Sequence, residues 1–223
     1  MMRRLSILIM AGLFFAVSGC DADKRTRYKM TVTVETPSGP KTGYAVREVR
    51  FIPKSGTFFG EGGYTWKLRG EAVQIDVAPG KTVFALLRSQ QGDLDYAAST
   101  IWDVLKRSGP SHDKVELWPR VPEGSGDAPL YLPMFVTFHD NSNAKTVQQL
   151  MPNDFAAVLG SGYQLKSVSV EAVFDRVTIT IGDRLHRLGI QRGRELDSHF
   201  EPTPTPTLAQ QLRSYDFTRG LNP

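Results

Sequence analysis

Apolar residues recur at every second position in several separate stretches, and that period decides the fold class before anything else does. Met30, Val32 and Val34 alternate with Thr31, Thr33 and Glu35, and Val73, Ile75 and Val77 with Gln74 and Asp76. Side chains of a strand point alternately to its two faces, so each set lines one face of a half-buried strand. The run "PSGP" and the pair Pro79-Gly80 supply turn chemistry, which predicts strand, turn, strand over 28–51 and again over 71–88. "KVELW" and "MFVTF" read as further strands. "SVSVEAVF" and "RVTITIG" are expected to pair with each other, with Val168, Val170, Ala172 and Phe174 on one face and Val177, Ile179 and Ile181 on a face of the next. The near-continuous apolar run Val83 to Leu87 suits a strand covered on both sides.

A cover is available in "LDYAASTIWDVLKR", where Ala97, Ala98, Ile101, Val104 and Leu105 recur at helical spacing. Asp93 or Asp95 suits its first turn, Lys106 and Arg107 its last, and Gly109-Pro110 stops it, so a helix is predicted from about Leu94 to Arg107. "PNDFAAVLGSG" predicts a second, short helix capped by Asn153 or Asp154 and closed by Gly160. The expected fold is α+β: mainly antiparallel β-sheet with one or two covering helices, in a single domain. "EPTPTPT", starting at Glu201, should be extended and stiff. It carries an amphipathic piece in which Leu208, Gln211, Leu212 and Tyr215 would share a helix side, docking on this domain or on a partner.

The first residues follow another logic. Arg3 and Arg4 precede a thirteen-residue apolar run, Leu5 to Val17, and then Ser18, Gly19 and the sole cysteine, Cys20. A charged start, an apolar centre of about 7–15 residues and a small-residue exit describe a secretory signal peptide. The run is shorter than the roughly 20 residues a spanning helix needs. With one cysteine no intramolecular disulfide can form, and an unmodified thiol in an oxidising compartment would be a liability.

Val17, Ser18, Gly19 and Cys20 resemble the lipobox of bacterial lipoproteins. That resemblance covers the leader alone. It implies a diacylglycerol thioether on Cys20, cleavage just before it and acylation of the new amino terminus, often with palmitate. Two lipid signals suffice for stable attachment, so the resemblance places the protein in a bacterial cell envelope, lipid-anchored and facing the periplasm. Asp21 follows the cysteine, and in lipoproteins of enteric bacteria an aspartate there commonly means retention at the inner membrane, which tilts the expectation towards that leaflet. The expected organisation is a leader over 1–19, a lipidated terminus and tether over 20–27, a β-rich domain over 28–200 and a Pro/Thr-rich tail over 201–223. The tether 21–27 reaches at most about 25 Å, which holds the domain close to the lipid.

Charge excludes one class of partner. Without the leader the chain has 25 Lys+Arg against 23 Asp+Glu, and no nucleic-acid partner is expected of a balance so even. The one basic cluster holds Arg184, Arg187, Arg192 and Arg194, either a solvated face or a contact with anionic lipid.

The remaining candidates are sparse. His112, His139, His186 and His199 include no pair at metal-ligand spacing, so no metal and no cofactor is expected. His139 with Asp140 is the pair an envelope hydrolase would use, although "FHDNSN" equally suits turn chemistry. "EGSGD" and "GSGYQ" lack the Gly-x-Ser-x-Gly perch of a serine nucleophile. The most unusual segment is "SGTFFGEGGYTW". Its glycines are not in phosphate-loop order, and Phe58, Phe59, Tyr64 and Trp66 either make an apolar patch for an envelope protein, a glycan or the lipid surface, or close the core at a hairpin. The resulting expectation is a non-catalytic binding or scaffolding module, with the hydrolase as the alternative.

Overall fold

The period-two stretches fold as strands in a computed structural model that describes residues 24–53, 64–99, 101, 104–105, 114–119, 132–197 and 205–220. β1 (Lys24–Glu35) and β2 (Lys41–Pro53) form an antiparallel hairpin. Its turn is tied by Thr36, whose hydroxyl donates to the Gly39 carbonyl at 2.6 Å and accepts from Ser38 N–H at 3.2 Å. β3 (Tyr64–Glu71) pairs with β2 on one side, while β9 (Gln164–Ala172) pairs with β1 on the other. β6 (Val115–Trp118) and β10 (Thr218–Arg219) complete a six-stranded sheet in the order β10-β3-β2-β1-β9-β6. β4 (Val73–Ala78), β5 (Lys81–Ser89), β7 (Pro133–Phe138) and β8 (Val147–Leu150) form a second sheet in that order. The architecture is mainly antiparallel β, with few and short helices.

Side-chain parity decides what lies between the sheets. Tyr28, Met30, Val32 and Val34 of β1, Val168 and Val170 of β9, and Val73, Ile75, Val77, Val83, Ala85 and Leu87 of the smaller sheet form one buried cluster. β4 comes so close to β2 that a Cβ on Gly43 would run into the Gln74 carbonyl oxygen. The other face of the smaller sheet carries Phe84, Leu86, Met134, Val136 and Phe138 into a second cluster. Its cover is formed by α2 (Gly182–Arg187), Leu188, Leu196, Ala209 and Leu212, and by Phe217, whose ring meets Phe84 edge-on at 5.6 Å. The run Val83 to Leu87 is therefore buried on both sides. The C-terminal segment, docked on its own domain, is the second cover.

One cation lies inside the sandwich. Arg47 has the inward parity of Ala45 and Val49 and is fully buried. Its Nε donates to the Glu71 carbonyl at 2.9 Å, its Nη2 to the Ala85 carbonyl at 3.4 Å and its Nη1 to Tyr28 Oη at 3.4 Å. Both carbonyls sit where ladders break: the chain leaves one sheet for the other after Glu71, and the β5–β7 register shifts after Ala85. A buried polar backbone group left unpaired costs about 1–3 kcal/mol, and the guanidinium answers two of them at once. A Cβ at Gly70 would stand 2.7 Å from Arg47 Cγ, so glycine there makes room for it.

Three expectations are corrected. First, 173–181 is not a strand and does not pair with β9. Its polar backbone groups go elsewhere: Thr178 N–H donates to the Val46 carbonyl at 3.2 Å, and the buried Glu71 carboxylate takes Thr180 N–H at 2.8 Å and Ile181 N–H at 3.2 Å. Ile181 is buried, Ile179 is exposed, and Phe174 is 92% exposed instead of sharing the core face of Val168. Second, Leu94 to Ala98 are turns, with helical backbone at Ser99, Ile101, Val104 and Leu105. The Asp95 carbonyl takes Ala98 N–H and Ser99 N–H, while Ala97 N–H goes to the Leu87 carbonyl and Ala97 C=O accepts from Tyr28 Oη, 2.6 Å away, so tertiary bonds fasten this turn to β5 and β1. Tyr96, Ala97, Ala98 and Ile101 are nevertheless core residues. Third, the described part of the tail folds as α3 (Leu208–Gln211), opened by a Thr207/Gln210 capping box, and a 3-10 turn at Ser214–Asp216; Ala209, Leu212, Ser214, Asp216 and Phe217 are buried, with Gln211 exposed. The short helix α1 (Phe155–Leu159) is present and ends at Gly160, but Asp154, at its N-cap position, makes no side-chain cap hydrogen bond.

Candidate functional site

Antiparallel register brings two of the singled-out residues, Tyr64 and Trp66, to one end of the larger sheet. Lys24, the first residue of β1, lies opposite Phe51, Phe51 lies opposite Trp66, and Pro53 lies opposite Tyr64. Three residues, Asp21 to Asp23, separate Cys20 from β1, so the last four residues read as tether belong to the strand. Phe58 and Phe59 lie outside the described residues, but the strand ends on either side of them, Pro53 and Tyr64, are paired at this same end. Trp66 sits in β3, 37% exposed, with its ring edge-on to Phe51 at 4.5 Å.

The outward face of the same end is charged. Arg25 is exposed, and Arg27 pairs with Glu48 across the β1–β2 register at 2.7 Å. β9 ends at Ala172, but the chain stays beside β1 for another step because Val173 N–H donates to the Arg27 carbonyl at 3.0 Å. Arg27 Nη1 donates in turn to the Asp175 carbonyl at 3.4 Å. The backbone on either side of Phe174 is thereby held beside β1. A hollow of about 350 Å³ lies between Arg25, Arg27, Glu48, Ala172 and Phe174. Further along, Lys29 and Glu171 form a 2.6 Å ion pair, and that hydrogen bond lifts the Lys29 ammonium above its usual range. The arrangement offers an aromatic ring and guanidinium groups to something anionic and partly apolar. Phe174 escaped the sequence reading because its parity matched Val168 and Val170; the signal that separates it is Asp175, a turn residue directly after it.

The other candidates are scattered. His139 and Asp140 are exposed where β7 ends. The Asp140 carboxylate accepts from Ser142 Oγ at 2.7 Å and Ser142 N–H at 2.8 Å, and these bonds hold it below the usual carboxylate range. That is the chemistry of a turn, with the carboxylate engaged by Ser142. Arg184 pairs with Asp76 at 2.8 Å and lines a separate hollow with Ser38 and Lys41, beside the β1–β2 turn. Lys41 pairs with Val34, ten residues along β1 from Lys24, or roughly 30 Å at the rise of a strand. Arg184 therefore stands far from the tether, and contact with lipid near the anchor does not fit it. Arg187 and Arg194 are exposed. Among the described residues no three His, Cys, Asp or Glu side chains converge as metal ligands, and no helix is long and apolar enough to cross a membrane. Val17, Ser18, Gly19 and Cys20 lie outside the described residues, as do His112 and His199.

No protein-family model, curated protein or solved structure gives a significant match to this chain.

Proposed function

We propose that this protein is a bacterial envelope lipoprotein, anchored by a diacylated Cys20, facing the periplasm and working as a binding or scaffolding module without catalysis of its own. The observation that carries the reading is the sole cysteine, placed behind Val17, Ser18 and Gly19 and three residues ahead of β1. Asp21 favours the inner membrane. Trp66, partly exposed at the tether end of β3, supports an envelope protein or glycan as the bound partner. We class the fold as α+β in one domain, because helical Ile101, Val104 and Leu105 pack into the main core as a cover.

Radiolabelled palmitate tests the anchor. Label enters the wild-type protein and is absent from Cys20→Ala, which is released from the membrane fraction. Equal labelling of the two, or none in either, refutes the reading.

A further inference from the structure

We infer that Phe174, Arg25 and Arg27 form a lipid-contact face that seats the tether end of the larger sheet directly against an anionic bilayer. The inference rests on the anchored reading and adds a specific side-chain contact to it.

Reach comes first. From Cys20 to Lys24 the chain spans at most about 14 Å, so a cysteine whose acyl chains lie in the bilayer holds the start of β1 within about that distance of the headgroups. Arg25 is the next residue. Phe174 is fixed to the first residues of β1 through Val173 N–H on the Arg27 carbonyl, and moves with them while the sheet is intact. A lone exposed aromatic needs no explanation by itself. Phe174 differs because it is 92% exposed at the end of the sheet that the tether brings to the lipid. An aromatic ring with arginines beside it is the pairing that settles at a bilayer interface, the ring at headgroup level and the guanidinium groups on phosphates. Glu48 neutralises Arg27 in part, at 2.7 Å, whereas Arg25 makes no ion pair among the described residues and carries most of the electrostatic attraction.

The test exploits the cysteine count. Lipidation consumes the only thiol of the chain, so Phe174→Cys gives the mature, membrane-extracted protein a single site for an environment-sensitive fluorophore. Tyr44→Cys is the control: Tyr44 is 60% exposed and pairs with Thr31, six residues along β1 from Arg25, or roughly 20 Å. Both are reconstituted in phosphatidylethanolamine/phosphatidylglycerol vesicles with and without brominated acyl chains. The expected result is a blue shift and bromine quenching at position 174, with neither at 44. Adding Arg25→Gln lowers the docked-to-undocked ratio about fivefold, the equivalent of ~1 kcal/mol per basic residue at an anionic surface. A probe at 174 that stays aqueous, or that is shielded without bromine quenching and so covered by protein, overturns the inference. If maleimide labels Cys20 of the wild type, the anchor reading fails separately. Cys20→Ser/Phe174→Cys on phosphatidylglycerol vesicles then decides the face alone: quenching upholds it, and its absence overturns it.

Discussion

Replacing Phe217 by alanine should cost about 3–5 kcal/mol of folding stability, the range for a fully buried phenylalanine. Phe217 is fully buried in the second apolar cluster, so burial of its ring alone contributes ~1.5–3 kcal/mol. Its edge-on contact with Phe84 at 5.6 Å contributes roughly another 0.5–1.5 kcal/mol. The hole left between Phe84 and Phe138 accounts for the remainder, because the strands that carry those rings are held by their ladders and cannot close on it. The position also fixes backbone: the Phe217 carbonyl accepts Ala72 N–H at 2.7 Å, next to the step where the chain passes from one sheet to the other. Urea unfolding of the detergent-solubilised protein, followed by tryptophan fluorescence, measures the loss. Of the three tryptophans, Trp118 packs against the main cluster and Trp66 against Phe51, so these two report the sandwich instead of the tail. Phe174→Ala, at a site 92% exposed, is the matched control and should change stability by no more than about 0.5 kcal/mol. A Phe217→Ala loss below about 1 kcal/mol would refute the view that the tail is an integral layer of the fold.

Three further outcomes follow from the same interior. Arg47→Met strands the Glu71 and Ala85 carbonyls between the sheets and should lower stability by about 2 kcal/mol or more in urea titration; an unchanged midpoint contradicts the carbonyl-bridging role. Gly43→Ala pushes a methyl into the Gln74 carbonyl and should destabilise by about 1–3 kcal/mol, read as a drop in melting temperature; a neutral substitution would mean that β4 can move away. Burial pushes the Asp216 carboxyl above its ordinary range, against the pull of the Arg213 N–H and of the Arg88 guanidinium 3.7 Å away. The folded state then holds this proton more tightly than the unfolded chain, so the contribution of Asp216 to stability is largest below its unfolded pKa near ~4 and declines as pH rises through the folded value. Relative to Asp216→Asn, the wild type should lose stability between acid and neutral pH, measured as paired urea midpoints; a constant or opposite difference contradicts the sign.

Most of the sheet was legible because alternation is a local property. Met30, Val32 and Val34 needed only their own parity to be placed inward, and the apolar run of β5 announced two covers. What escaped depended on partners far away in sequence. The stretch 176–182 has the alternation of a strand, yet Glu71, more than a hundred residues earlier, takes its N–H groups and draws it off the sheet. Arg47 shows the same limit. Its parity with Ala45 and Val49 points inward, but only the break in two ladders explains why a guanidinium belongs there. At the candidate site, the leader motif and the aromatic residues were readable one by one. That Lys24, the first residue of β1, and Trp66 lie at one end of the sheet came from the pairings of Lys24 with Phe51 and of Phe51 with Trp66.

The mass and first residue of the mature protein, taken from the membrane fraction, test the central claim most directly. The account predicts a chain that begins at Cys20, with a diacylglycerol thioether on its sulfur, recovered as a lipid-modified terminal peptide by mass spectrometry. A mature chain that begins elsewhere, or one that begins at Cys20 with a free thiol, contradicts it.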